Sequence, residues 1–72
     1  METTETISII VNGEAKEVQS GASVSQLLQT LGLHAGLVAI ERNLQILPRT
    51  DWTTTQVAAG DRYEIVQFVG GG

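Results

Sequence analysis

The chain has 72 residues, no cysteine, and 4 basic against 8 acidic side chains, which gives a net charge of -4. This length allows one small domain with one core, and the lack of cysteine excludes a disulfide framework or a thiolate metal site. The negative charge opposes binding to nucleic acid or anionic membranes, so a basic groove on another protein is the better partner. No stretch reaches the roughly 18 apolar residues of a membrane span and the start is acidic, so we expect a cytoplasmic protein.

The chain is expected to begin with a mobile leader, residues 1–5, followed by a β-hairpin. The first strand alternates with a period of two, and its inward positions are Ile7, Ile9 and Val11. Ile10 adds partial cover on the opposite face. Asn12-Gly13 is the dipeptide that most readily adopts the positive φ values of a two-residue hairpin turn. The return strand, residues 15–19, is polar enough for a sheet edge, with Val18 turned inward.

The apolar period then changes to that of a helix. The apolar stripe consists of Val24, Leu27, Leu28 and Leu31. Ser23 can cap the start of the helix, and Gln26 stands where a capping box requires it. Gly32 suits the left-handed position after the helix, which places Leu33 against Leu28 in a Schellman-type ending. The sequence therefore predicts one short amphipathic helix with both ends specified.

Short strands and turns follow the helix. Residues 37–42 are a strand candidate with Val38 and Ile40 facing the helix. Residues 45–47 predict a brief paired strand, which Pro48 ends because proline cannot donate to a ladder.

The β-branched run of residues 53–55 disfavours a second full helix and favours a short 3₁₀ turn near Asp51 and Trp52. Gly60-Asp61 is a turn signal. Residues 62–69 then predict the final strand, which is strongly apolar.

This order of elements predicts an α+β domain, in which a mixed sheet of about four to five strands carries one main helix on one face. The strands at residues 7–11 and 65–69 are the most apolar, so we expect them to lie side by side, parallel and central. A Rossmann-type fold is excluded because no glycine-rich loop separates a strand from a helix. A ferredoxin-like fold requires a second helix. A ubiquitin-like β-grasp remains.

Three glycines follow the final strand: Gly70, Gly71 and Gly72. Three at one preset place arise by chance in about 0.03% of chains. We expect residues 1–69 to form the domain and residues 70–72 a flexible tail, although a frayed end without a role is the alternative. The extended tail reaches about 10 Å and, without Cβ atoms, can enter a channel that other residues would block. Its distinctive group is the Gly72 α-carboxylate, which is ionised at neutral pH.

The layout and the tail resemble the ubiquitin-like β-grasp carriers, and within them the ThiS sulfur carriers of thiamine biosynthesis. The resemblance covers nearly the whole chain after Thr6. It rests on the turn at 11–14, the helix at 24–31, residues 38–43, Leu47-Pro48-Arg49 with Trp52, Gly60-Asp61 and residues 64–72. The tail is shared with the molybdopterin-synthase small subunit, whereas Pro48-Arg49 and Trp52 look like the thiamine branch. Leu44 after Asn43 departs from the Asn-Gly of the family.

The resemblance implies that an E1-like adenylyltransferase activates Gly72 at the expense of ATP. A sulfurtransferase or another sulfur source then converts Gly72 into a thiocarboxylate, and a thiazole synthase takes up the sulfur. The chain itself is expected to bind no cofactor and to be a monomer when free. Two alternatives stay open: a carrier of the molybdopterin-synthase type, and a ubiquitin-like modifier joined to target proteins through Gly72.

No group of side chains in the sequence predicts an enzyme. His34 is the only histidine and has no cysteine partner, so no metal site is predicted. The serines lack a histidine and acid constellation, and the acidic pairs lack a pocket that raises a pKa. We expect no catalytic residues. We expect Arg42, Arg49 and Arg62 to be solvated surface charges, and the alternative is that they pair with acidic groups on a partner. The chain is predicted to be a protein co-substrate.

Alternation along the final strand turns Tyr63 and Ile65 toward the helix and Val66 and Phe68 to the opposite face. If that face is uncovered, Val66 and Phe68 beside Ile10 form an apolar patch of the kind that marks a docking site. The predicted docking residues are Ile10, Val66, Phe68 and Val69. The alternative is that the loop around Trp52 covers this face.

Overall fold

The structure, a computed structural model, describes residues 5–33 and 35–68. The main elements are β1 (Thr6–Val11), β2 (Glu14–Gln19), α1 (Val24–Thr30), β3 (Val38–Arg42), β4 (Gln45–Ile46) and β5 (Arg62–Gln67). Two 3₁₀ turns, Ala35–Leu37 and Arg49–Asp51, lie in the connections. His34, the leader residues 1–4 and residues 69–72 lie outside the described residues, so the expectations for the tail are not tested by the fold.

All strands belong to one five-stranded mixed sheet in the order β2-β1-β5-β3-β4. The central strand is β5; it is parallel to its neighbour β1, and the other neighbours are antiparallel. The polar strand β2 lies at one edge, as predicted, because its exposed side chains would be costly to bury. The predicted α+β architecture with a central parallel pair is confirmed, and it is the β-grasp arrangement.

Local sequence signals specify the helix, as predicted. The Ser23 hydroxyl accepts from the Gln26 N–H at 3.1 Å, and the Ser23 N–H donates to the Gln26 side chain at 2.9 Å. At the other end Gly32 has a φ of 74° and the Leu33 N–H donates to the Leu28 carbonyl at 3.0 Å. These bonds satisfy groups that the helix ends leave unpaired, which is why so short a helix has defined ends.

The core lies between α1 and one face of the sheet. Its buried apolar side chains are Ile9, Val11, Val18, Val24, Leu27, Leu28, Val38, Ile40, Trp52, Val57, Tyr63 and Ile65. Trp52 is an anchor in this core, and its indole N–H donates to the Leu47 carbonyl at 3.0 Å. The backbone carbonyl of Trp52 accepts from Ser25 at 3.1 Å, which attaches the 3₁₀ segment to the start of the helix.

The first hairpin turn has a second role that the sequence did not predict. Asn12 and Gly13 have φ values of 50° and 83°, the left-handed values of a two-residue turn. The Asn12 side-chain amide then donates to the Ile65 carbonyl at 3.1 Å and accepts from the Ile65 N–H at 2.8 Å. The amide thus takes the place of one further residue of β1 and holds the middle of β5.

Replacing Asn12 with glycine is expected to lower the free energy of unfolding by about 1–2 kcal/mol, because both backbone groups of Ile65 lose their partner. Urea unfolding measures the change, and hydrogen exchange should show faster exchange at the Ile65 amide. Asn12→Asp is the matched control, since it keeps the acceptor for the Ile65 N–H and loses only the donor. The exchange rate of the Ile65 amide should therefore rise less in Asn12→Asp than in Asn12→Gly. An unchanged Ile65 exchange rate in Asn12→Gly would contradict the role of the side chain.

Candidate functional site: the open face of the sheet

Among residues 5–33 and 35–68, nothing covers Val66 and Phe68 on the sheet face opposite the helix. Val66 and Phe68 are 57% and 55% exposed, whereas Tyr63 and Ile65 are 0% and 7% exposed. The predicted alternation along the final strand is therefore confirmed. The alternative in which the Trp52 loop covers Val66 and Phe68 is wrong, because the Trp52 side chain is packed into the core on the helix side.

The antiparallel register of β3 and β5 extends this surface beyond the predicted residues. Ala39 pairs directly with Val66, and Ile46 on β4 is 79% exposed and lines the same cleft as Val66. We call Ala39, Ile46, Val66 and Phe68 the apolar patch. Sequence reasoning missed Ala39 and Ile46 because their position beside Val66 depends on a strand pairing that the chain pattern does not encode. Exposed apolar side chains that cluster in this way are typical of a docking surface.

The prediction that Ile10 lies beside Val66 and Phe68 is wrong. In the parallel pairing, Ile10 lies opposite Arg62, so Val66 is four residues further along β5, about 13 Å away. The reason is that β1 ends at Val11 and meets only the start of β5. Ile10 is partly buried on the open face, and its part in docking stays a prediction.

The end of β5 is hydrogen-bonded to the first 3₁₀ turn, Ala35–Leu37. The Phe68 N–H donates to the Leu37 carbonyl at 2.7 Å, and this is the last bond of the final strand among the described residues. It holds the chain immediately before Val69 and the glycines at the apolar patch. The roles predicted for Val69, Gly70, Gly71 and Gly72 fall on residues outside those described and stay predictions.

Two carboxylates lie on the open face beside the apolar patch. Glu41 on β3 pairs directly with Glu64 on β5. Both line a cleft of about 190 Å³, whose lining residues are Ala39, Ile40, Glu41, Ile46, Glu64 and Val66. Like charges directly opposite each other on neighbouring strands are unfavourable. Because both side chains are exposed, water screens this repulsion, so its cost in the free chain is small.

A hydrogen-bonded cluster around Asp61 fixes the start of β5. One Asp61 oxygen accepts from the Ala58 N–H at 2.9 Å, the Tyr63 hydroxyl at 2.9 Å and the Arg42 Nε at 3.0 Å. The other accepts from the Asn43 amide at 3.1 Å. The expectation that Arg42 is a solvated surface charge is therefore wrong, because its partner is a buried carboxylate 19 positions along the chain. Nothing in the local pattern signals this pair.

The Asp61 cluster perturbs the acidity of its members. Burial raises the pKa of Asp61, but the hydrogen bonds from Ala58, Asn43, Tyr63 and Arg42 outweigh it and hold this pKa below its ordinary value of 3.8. Burial and the bond to Asp61 raise the pKa of Tyr63 to about 12. Asp61 is thus ionised and Tyr63 neutral over the whole physiological range, which is consistent with a fixed structural cluster.

The lowered pKa of Asp61 predicts a loss of stability in acid. The contribution of ionised Asp61 to stability is fully present above the pKa of this carboxyl in the unfolded chain, near 3.8. It is lost as the pH falls through the lower pKa of Asp61 in the folded protein. We expect the free energy of unfolding, measured in urea between about pH 6 and pH 2, to fall below about pH 4. Asp61→Asn should show a shallower fall over the same range, and equal slopes in the two proteins would contradict the assignment.

Residues 5–33 and 35–68 hold neither a metal-binding cluster nor a membrane-spanning helix. This part of the chain contains no group of three or more His, Cys, Asp or Glu side chains that could hold a metal ion. None of its helices is long and apolar enough to cross a membrane.

Comparison with known proteins agrees with the fold. The model of the ThiS family matches residues 9–72. Thiazole synthases of Paramagnetospirillum magneticum and Magnetococcus marinus are 39% and 33% identical over 66 residues. That region is 92% of this chain but 20% of each synthase, so the chain spans about a fifth of the length of these two relatives.

Two relatives of similar size match over their whole length or nearly so. The sulfur carrier protein ThiS of Escherichia coli is 32% identical over 66 residues, which are 92% of this chain and 100% of that protein. The crystal structure of the thiamine biosynthesis protein ThiS from Geobacter metallireducens has a TM-score of 0.78 and 33% identity, with 92% of this chain and 100% of that one covered. On the family match and these full-length relatives, the chain belongs to the ThiS family.

Proposed function

We propose that this chain is a sulfur carrier of thiamine biosynthesis, and that it carries sulfur as a thiocarboxylate at Gly72. The observation that supports the proposal best is the family match, which runs through the glycines to residue 72. The full-length relative in Escherichia coli bears the name of a sulfur carrier. An exposed apolar patch next to the point where the chain leaves the sheet is the kind of surface that such a carrier requires for docking.

The chemistry requires activation because an ionised carboxylate is a poor electrophile. A Gly72 carboxylate oxygen attacks the α-phosphorus of ATP, and pyrophosphate leaves. If the source is sulfide, it attacks the acyl carbon, a C–S bond forms, and AMP leaves with the electron pair of the broken C–O bond, which gives the thiocarboxylate. If a sulfurtransferase persulfide attacks instead, the product is an acyl disulfide. A thiol then attacks the sulfurtransferase sulfur, which breaks the S–S bond, forms a new disulfide and releases the thiocarboxylate. In this scheme the chain is a co-substrate with no catalytic residue of its own, and ATP is consumed by the E1-like adenylyltransferase.

Two partners follow from this role. The adenylyltransferase is proposed to dock on the apolar patch while Gly70 and Gly71 pass through its channel. A thiazole synthase is proposed to receive the sulfur, since two proteins with that name contain a region similar to this chain. The free chain is proposed to be a monomer, and its cytoplasmic location stays a prediction from the sequence.

Intact-mass spectrometry tests the proposal. After incubation with the adenylyltransferase, ATP and a sulfur source, the mass should rise by the difference between one sulfur and one oxygen, and fragmentation should place the change at Gly72. A variant with one extra residue after Gly72 is the control and should stay unmodified. An unchanged wild-type mass, under conditions that modify an established carrier, would reject the proposal.

Experiments in cell extracts and in deletion strains separate the alternatives. A ubiquitin-like modifier should form covalent adducts of higher mass with cellular proteins, whereas a carrier should form none. The chain can also be expressed in two deletion strains, one lacking the sulfur carrier of thiamine biosynthesis and the other lacking that of the molybdenum cofactor. Growth of the first strain without thiamine, with no rescue of the second, would assign the thiamine pathway.

A further inference from the structure

We propose that Glu41 and Glu64 together bind one arginine side chain of the adenylyltransferase when that enzyme docks on the open face. The inference rests on the proposed function, because it takes the adenylyltransferase as the partner. It adds the chemistry by which the partner is recognised: an arginine beside apolar groups that cover the apolar patch.

The first argument is the placement of the two carboxylates. They lie opposite each other on neighbouring strands, where like charges destabilise the sheet. Both side chains are exposed, so neither has a role in the core. The net charge of -4 already includes these two carboxylates, and in the free state their side-by-side placement brings no electrostatic benefit. A cation between them removes this cost and becomes more favourable as the docked partner excludes water.

The second argument is that no basic side chain among the described residues forms an ion pair with Glu41 or Glu64. The ion pairs among residues 5–33 and 35–68 are Lys16 with Glu14 and Arg42 with Asp61. The Arg49 guanidinium lies over the Trp52 ring at 5.7 Å. Arg62, the last of the 4 basic residues, forms no ion pair among the described residues.

The third argument is the shape and lining of the cleft. Its volume of about 190 Å³ has room for one long side chain, and apolar groups of Ala39, Ile46 and Val66 form much of its wall. An arginine buries its methylene stem along apolar surface and keeps its charged head beside acceptors. The guanidinium presents donors on more than one side, so it can bridge two carboxylates, whereas a lysine ammonium is a point charge. Arginine is therefore the matching occupant.

Calorimetric titration of the full chain with the adenylyltransferase, without ATP, tests the inference. We expect Glu41→Gln and Glu64→Gln each to weaken the affinity about tenfold and to reduce its dependence on salt. The double variant should weaken it little more than either single variant, because both carboxylates bind one cation. The melting temperatures of these variants should be equal to or above that of the wild type, which excludes loss of the fold as the cause.

Glu17→Gln is the matched control. Glu17 is exposed on the open face but lies on edge strand β2, opposite Ser8 and away from the cleft. The same loss of one charge should change its affinity less than about twofold. If Glu41→Gln and Glu64→Gln bind like Glu17→Gln while wild-type Gly72 acquires sulfur, the inference is wrong and the proposed function stands. If the wild type neither binds nor acquires sulfur, both are wrong.

Discussion

Replacing Asp61 with alanine is expected to lower the free energy of unfolding by about 3 kcal/mol. The change removes the acceptor of four donors, from Ala58, Asn43, Tyr63 and Arg42. The O–H of the buried Tyr63 is left without an acceptor, and its oxygen keeps only the bond from the Arg42 Nε at 3.2 Å. A domain of this length has roughly 4–11 kcal/mol in total, so the variant should have a markedly lower urea midpoint.

The control for this prediction is Asp51→Ala. Asp51 is an exposed carboxylate at the end of the second 3₁₀ turn, and its side chain accepts no hydrogen bond among the described residues. Its loss should change the free energy of unfolding by no more than about 0.5 kcal/mol. If the two variants unfold at the same urea concentration, the Asp61 cluster does not stabilise the start of β5.

Replacing Val66 with aspartate is expected to weaken binding of the adenylyltransferase about a hundredfold and to slow formation of the Gly72 thiocarboxylate. The variant loses the centre of the apolar patch and gains a carboxylate two positions from Glu64 on the same face. The fold should be little affected, because Val66 is 57% exposed and makes no contribution to the core. Calorimetric titration and the time course of the mass change measure the two effects.

Leu44→Asp is the matched control for the Val66 variant. Leu44 is 82% exposed, so the same apolar to acidic change is made outside the apolar patch. Leu44 also has a φ of 72°, a left-handed value that a short polar side chain tolerates better than leucine. Binding and thiocarboxylate formation should stay at wild-type levels in the control. A control that loses binding as Val66→Asp does would show that net charge, and not the patch, governs docking.

Features that depend on neighbours in sequence were predictable. The Asn12-Gly13 turn needs only positive φ at two positions, and the Ser23–Gln26 capping box needs only a spacing of three. The central parallel pair was also predictable, because the two most apolar strands require cover on both faces. These signals were sufficient for the architecture and for the exposed face of the final strand.

Features that depend on register were not predictable. The bonds between Asn12 and Ile65 join positions 53 apart, and no local pattern encodes them. The same holds for Glu41 opposite Glu64, which a shift of one residue would place on different faces. The wrong position of Ile10 also results from an unknown register. The apolar pattern shows that Ile10 and Val66 lie on the same face of the sheet, but it does not show which residue of β5 lies beside Ile10.

The central position of β5 has a consequence for how the protein forms during synthesis. The β1–β2 hairpin and the β3–β4 hairpin are joined in one sheet only through β5, yet β5 is the last of these strands to leave the ribosome. Until residues 62–67 emerge, β1 and β3 each keep an open edge that can pair with another chain. We therefore expect the domain to fold only after synthesis of β5, with the pairing of distant segments limiting its rate.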